Sequence, residues 1–301
     1  MSGFVIAYAY DSRISAMGVI EFFKSRLIRL HPLVIMGSIL GLAGFIFDPF
    51  TSQSQLYSAW HLVWIFICSI FLIPFPAMAE RSFNLFSFNA PAWSLFWEYI
   101  ANIVYAFILS KIHRRYMVIL TIAAACALCF VSYRAGNLLG GWSKDNFWDG
   151  AARVSFSFLA GLSIYRFNWI IKNKLGFLGL SFLLILGFIM TFFKWNWITE
   201  LMLVILYFPL IVSLGAGSTL TFGRKLSVFS GKISYPLYMT HYAAIWIFGS
   251  YYTIYKPAGT ELFLIVFIGT ILLVAFAYLI MSIYDIPVRK YLTKRRLDNQ
   301  N

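Results

Sequence analysis

LFLIVFIGTILLVAFAYLIMSIY, Leu262 to Tyr284, holds 23 residues and no charge. At 1.5 Å per residue a helix of this length covers about 34 Å, enough for the ~30 Å hydrocarbon core of a bilayer. In lipid each backbone N–H and C=O needs a partner within the segment, which a helix supplies. The alternation of a barrel strand is absent. The stretch reads as a membrane-spanning helix and sets the class of the chain. Working outward, further apolar runs cover Leu33–Phe47, Trp60–Pro74, Ala92–Leu109, Met117–Val131, Ala151–Tyr165, Leu175–Phe193, Glu200–Leu214 and Ile233–Gly249. A short run, Phe4 to Ala9, opens the chain.

Composition agrees. The chain is 61% hydrophobic and 12% charged, about half the charge of a soluble domain. A net charge of +13 would suggest nucleic acid in a soluble protein, but Lys and Arg here lie between apolar runs. No nucleic-acid motif accompanies them. Trp60, Trp64, Trp93, Trp97, Trp142 and Trp148 sit mostly near segment ends, as in interfacial belts. Cys68, Cys126 and Cys129 lack metal or disulfide-framework spacing.

The basic stretches are Arg13–Arg29, Lys111–Arg115, Arg166–Lys174, Arg224–Lys232 and Arg289–Arg296. The connections Asp48–Ala59, Lys194–Thr199 and Ser250–Glu261 are poorer in Lys and Arg. The positive-inside rule places the first group in the cytoplasm. An even number of crossings must then separate Arg13–Arg29 from Lys111–Arg115, yet three apolar runs lie between. Either one run does not span, or Pro74–Asn89 folds back into the membrane. The expected architecture is an all-α polytopic bundle of about eight full spanning helices plus an N-terminal half-helix.

Four groups of residues carry chemistry. Arg26 and Arg29 are three apart and share a helix face; paired guanidiniums suit phosphates, although juxtamembrane Arg is also ordinary positive-inside charge. Asn89-Ala90-Pro91-Ala92-Trp93-Ser94-Leu95-Phe96-Trp97-Glu98 puts a carboxylate inside an apolar run, a functional candidate by position. A structural ion pair with Arg26 or Arg29 is the plain alternative. Ser234, Leu237 and His241 share a stripe in which His241 is a candidate base or relay, or a histidine satisfied by a neighbour. Asp285-Ile286-Pro287-Val288-Arg289 reads as a structural terminus, with Pro287 ending the helix.

In this order and spacing the four groups resemble the acyltransferase-3 family of integral membrane acyltransferases, whose members O-acylate exopolysaccharide, lipopolysaccharide and other glycans. Ser2-Gly3-Phe4 looks like the end of the family's Ser-Gly-Phe motif. Phe22-Phe23 with Arg26, Arg29, Leu30 and Pro32 resembles the motif after it. Pro91, Trp93, Ser94, Leu95 and Glu98 resemble its Trp-Ser-Leu…Glu helix. Ser234, Tyr235, Leu237, Tyr238 and His241 resemble its Ser-Tyr-x-Leu-Tyr…His helix. Asp285, Pro287 and Arg289 resemble its terminal motif, with Asp where Glu is common.

The resemblance implies one acyltransferase-3-like membrane domain over 1–301, lacking the family's first helix and part of its second. The family's basic-residue…His motif would precede Ser2, and no residue here matches it. It further implies an enzyme moving an acyl group, expected to be acetyl, from acyl-CoA to a glycan hydroxyl. No bound cofactor, metal or nucleic acid is expected. Its setting would be the cytoplasmic (inner) membrane, with the C-terminus in the cytoplasm. Arg26 and Arg29 would bind the donor, Glu98 and His241 would be the catalytic pair, and Trp93, Ser94, Tyr235 and Tyr238 would line the substrate. A transporter or flippase of a lipid-linked glycan is the alternative, and an inactive acyltransferase fragment is another.

Overall fold

The computed structural model of the chain describes residues 1–190, 195–219 and 223–298. Within these, α1 is Ser2–Tyr10, α2 Val19–Ile46, α3 Ala59–Ile70, α4 Ala92–Leu109, α5 Arg114–Ala135 and α6 Phe147–Arg166. Next come α7 Gly176–Phe188, α8 Asn196–Gly217, α9 Arg224–Tyr255 and α10 Gly259–Asp298. No strand occurs among the described residues, only two isolated bridges. Phe193, the expected end of one apolar run, and Lys194 lie outside the described residues.

Five helices, α2, α4, α5, α8 and α10, are long and apolar enough to cross a bilayer. α6, of 20 residues, and α9, of 32, have the length but fall short of that apolarity. α3 and α7 are apolar but have only 12 and 13 residues, about 18–20 Å at 1.5 Å per residue, so neither crosses alone. Three basic stretches expected as loops are instead helical for much of their length. Val19–Arg29 belongs to α2, Arg224–Lys232 to α9 and Arg289–Arg296 to α10. Lys and Arg are good helix formers, so the helices run on past their apolar parts. Pro287 does not end α10: a π turn over Met281–Asp285 precedes it, and the helix continues to Asp298. Pro32 and Pro236 also lie inside helices.

Two compact units arise. One comprises Met1–Phe22, Phe96–Gly141 and Asp145–Val228. In it α1 packs on α6 at glycines: a Cβ on Gly3 would overlap the Phe158 carbonyl, and one on Gly161 would press on Phe4 N. Tyr105, fully buried, packs on Phe22 and Phe158.

The other unit comprises Phe23–Leu95, Trp142–Lys144 and Phe229–Asn301. Its core sets Phe45 of α2 against Ile65 of α3 and the loop residues Met78 and Phe88. α3 stops at Ile70 because Leu72 turns left-handed (φ 54°) and because residues before Pro74 and Pro76 avoid the helical region. The chain then doubles back. His31 of α2 bonds the Ile70 backbone, while Arg81 stacks on Phe45 at 4.8 Å. Tyr57, before α3, donates its hydroxyl to Glu80, after the return. Both ends of this excursion therefore lie at one level, and Trp60–Pro74 is the run that does not cross.

From Arg81 the backbone descends beside α2 without helix. Phe88 meets Gly41, and Asn89 meets Gly37 and donates to Met239 O at 3.3 Å. Residues 84–89 are all buried, the condition under which irregular backbone persists at membrane depth.

Candidate functional site

Within the second unit, residues from four separated motifs meet. Arg26 and Arg29 lie one turn apart on α2, Arg26 buried and Arg29 exposed. The Tyr235 hydroxyl donates to Leu30 O at 2.6 Å, tying α9 to α2 just past Arg29. Asp285, 2% exposed, accepts from Arg289 at 2.7 Å and also feels the charge of Arg29. The terminal motif is therefore part of a charged group with Arg29, not merely the end of a helix. Its sequence signal was available: a carboxylate at the end of a long uncharged run is expensive unless paired.

Ser94 Oγ and Tyr238 Oη are 2.8 Å apart, and Tyr238 donates to Pro91 O at 3.0 Å. This fixes the start of α4 against α9, with Trp93 half-buried between Pro91 and Ser94. His241 Nδ1 lies 3.0 Å from Leu237 O. A carbonyl only accepts, so Nδ1 donates its proton here and Nε2 is the nitrogen left for another partner. The histidine is thus oriented by its own helix, and its other nitrogen is the basic one.

Glu98 belongs to the first unit. Ser2 Oγ lies 2.6 Å from both of its carboxylate oxygens, a contact that joins the opening Ser-Gly-Phe to the Trp-Ser-Leu…Glu helix. Farther along α4, Tyr105 donates to Asp11 Oδ1 at 2.7 Å. Arg166 grips Asp11 with Nε at 2.7 Å and Nη2 at 2.8 Å, and its Nη1 reaches Leu109 O at 2.7 Å. Sequence reasoning missed Asp11, Tyr105 and Arg166, because the ion pair joins residues 155 apart. The useful signal was scarcity: the chain has 11 acidic residues in all, so each one beside an apolar run needs a partner.

The end of the second unit away from Arg29 holds another buried cation. Arg81, 3% exposed, lies between the rings of Phe45 and Trp246, at 4.8 and 4.3 Å. It donates to Ser87 O at 2.7 Å and bonds the Tyr242 side chain. Burial lowers its pKa, and Tyr242 and Asp48 act against that. No group of three metal-ligating side chains occurs among the described residues.

Residues 1–282 match a protein family described as an acyltransferase domain. A curated relative, protein 2 in the picA locus of Rhizobium radiobacter, is 31% identical over 115 residues. That match covers 35% of this chain and 60% of the relative. No solved structure matches.

Proposed function

We propose, from the premise that this chain belongs to the acyltransferase-3 family of integral membrane acyltransferases, that it moves an acyl group from a cytoplasmic acyl-CoA to a hydroxyl of a cell-surface or exported glycan. Acetyl is the simplest such group. The inner membrane is its setting, with the Arg29 end of α2 and the C-terminal helix on the cytoplasmic side.

The observation that carries the donor half is the grouping of Arg29, Asp285 and Arg289. Two guanidiniums to one carboxylate leave positive charge, and Arg26 adds to it from the turn before. Such a group suits the diphosphate and 3′-phosphate of CoA, which arginine holds through paired hydrogen bonds. Tyr235 fixes the register of α9 against this end of α2. His241 lies six residues beyond Tyr235, about 9 Å along the helix, on the membrane side of the charges.

The chemistry then follows. His241 Nε2 takes the proton of the glycan hydroxyl as its oxygen attacks the thioester carbonyl. The C–S bond breaks, the ester forms, and the proton passes from Nε2 to the departing CoA sulfur. Ser94, Tyr238 and Trp93 line the approach. Glu98, oriented by Ser2, supplies negative charge elsewhere on α4.

Arg29→Ala should abolish glycan acylation and lower CoA affinity by more than about tenfold, since bonds to charged groups are worth roughly 1.5–3 kcal/mol each. Isothermal titration with CoA and mass analysis of the glycan measure both. Wild-type acylation by this variant would remove Arg29 from the site.

A further inference from the structure

A cavity of about 790 Å³ opens among α2, α9 and α10, bounded by Ala43, Gly44, Thr240, Ala244, Gly269 and Phe276 among others. Small side chains create it. A Cβ on Gly269 would meet nothing within 4 Å, while one on Gly44 would touch Ala243 at 3.2 Å. Its wall has two polar side chains, and both bond their own helix: Thr240 Oγ1 donates to Pro236 O at 2.8 Å and Thr270 Oγ1 to Val266 O at 2.7 Å. The wall therefore presents no unpaired polar group, so hydrocarbon fills it without loss.

Its placement selects the hydrocarbon. Leu40, at one edge, lies eleven residues beyond Arg29 on α2, about 16 Å along the axis. Thr240, on α9, immediately precedes His241. On α10 the lining ends at Phe276, nine residues before Asp285. All three helices carry their Lys and Arg on one side of the cavity, and only Glu261, at the start of α10, lies on the other. Cation, base and apolar space thus follow one another along the same axis, which is the order of phosphate, thioester and acyl chain in an acyl-CoA. Acetyl would leave nearly all of this space empty.

We propose that this cavity holds the acyl chain of the donor, and that the enzyme transfers hydrocarbon acyl groups longer than acetyl. The inference rests on the donor reading above and adds the class of acyl group. The bonds made and broken are unchanged.

The test uses the whole protein in nanodiscs with acetyl-, octanoyl- and palmitoyl-CoA, comparing kcat/KM for glycan acylation. Octanoyl should exceed acetyl by about tenfold or more, the scale on which apolar pockets discriminate chain length. Gly269→Leu and Ala244→Leu should each lower the octanoyl-to-acetyl ratio by about tenfold. A second measurement does not depend on turnover or on variants. Octanoyl-CoA with a terminal diazirine should label peptides containing Thr240–Phe248 or Val266–Phe276, and unlabelled octanoyl-CoA should compete. Preference for acetyl, or a ratio unmoved by both variants, overturns the inference and leaves the donor reading standing. Labelling that unlabelled donor does not displace makes the cavity a bilayer-lipid groove. Absent labelling with a dimer in native mass spectrometry makes it a contact between copies. Failure of every acyl-CoA to bind or react overturns the donor reading and this inference together.

Discussion

Asp285 is the most informative single residue. Its side chain is 2% exposed, whereas its partner Arg289 is 30% exposed. Removing the arginine strands a buried carboxylate; removing the carboxylate frees an arginine that can turn toward water. Arg289→Ala is therefore expected to destabilise by about 3 kcal/mol, the lower end of the range for breaking a buried pair because Arg29 remains nearby, and Asp285→Asn by less. Thermal unfolding in detergent gives the order, and reversal of that order would contradict the pairing. Tyr57 and Glu80 give a second residue-scale expectation. Tyr57 is pushed up to about 12, first by burial and then by the Glu80 carboxylate that accepts its proton. Glu80 is held below the ordinary carboxylate value, first by that same hydroxyl. The tyrosine's share of stability is present below pH 10 and is lost as pH rises toward about 12. The carboxylate's share is present above its ordinary value and is lost as pH falls through the lowered one. Tyr57→Phe should move the Glu80 titration upward, seen by infrared difference spectra of the carboxylate. An unmoved midpoint would mean that the hydroxyl does not set it.

At the scale of elements, glycines decide which backbone can lie against which. Gly37 and Gly41 leave room on α2 for the descending segment, where a Cβ would overlap Asn89 and the Phe88 carbonyl respectively. Gly231 and Gly249 on α9 face open space. Gly41→Ala should destabilise by about 1–3 kcal/mol through overpacking. Gly249→Ala should be neutral or stabilising by up to about 1 kcal/mol from helix propensity. Equal melting temperatures for the two variants would show that the descending segment does not pack on α2. Sequence foretold the helices themselves, since uncharged runs such as Leu262–Tyr284 admit little else in lipid. It did not foretell how far they extend. Lys and Arg marked charge, not helix ends, and Pro32, Pro236 and Pro287 were absorbed within helices. Each proline leaves the carbonyl four residues earlier without its helical donor. In α2 and α9 those carbonyls belong to Ile28 and Lys232, each close in sequence to a motif residue, while in α10 the π turn shifts the register before Pro287. The motif residues were legible one by one, but their meeting was not. The Tyr235 contact with Leu30 spans 205 positions, and no local pattern encodes a pairing of that range.

For the whole molecule the question is which side of the membrane each loop occupies. Charge counting required an even number of crossings between Arg29 and Lys111, and composition could not say which of three apolar runs to discount. The Tyr57–Glu80 contact decides it, because it joins the chain before α3 to the chain after the return. α3 enters from the side on which α2 ends, reaches the level of His31 and comes back. With α3 discounted, charge counting expects one more crossing between Arg81 and Lys111. The competing topology has Trp60–Pro74 crossing, which would put Glu80 on the side opposite Ser52. Single cysteines at Ser52, Glu80 and His113, in a background with Cys68, Cys126 and Cys129 replaced by serine, separate the two. Ser52→Cys and Glu80→Cys should both react with a membrane-impermeant thiol reagent in intact cells. His113→Cys should react only after the cells are opened, as the positive-inside rule expects for the basic stretch Lys111–Arg115. Labelling of Ser52→Cys and Glu80→Cys from opposite sides would restore the crossing helix. It would leave the line of Arg29, His241 and apolar cavity as it stands, because these lie on α2, α9 and α10 and not on α3.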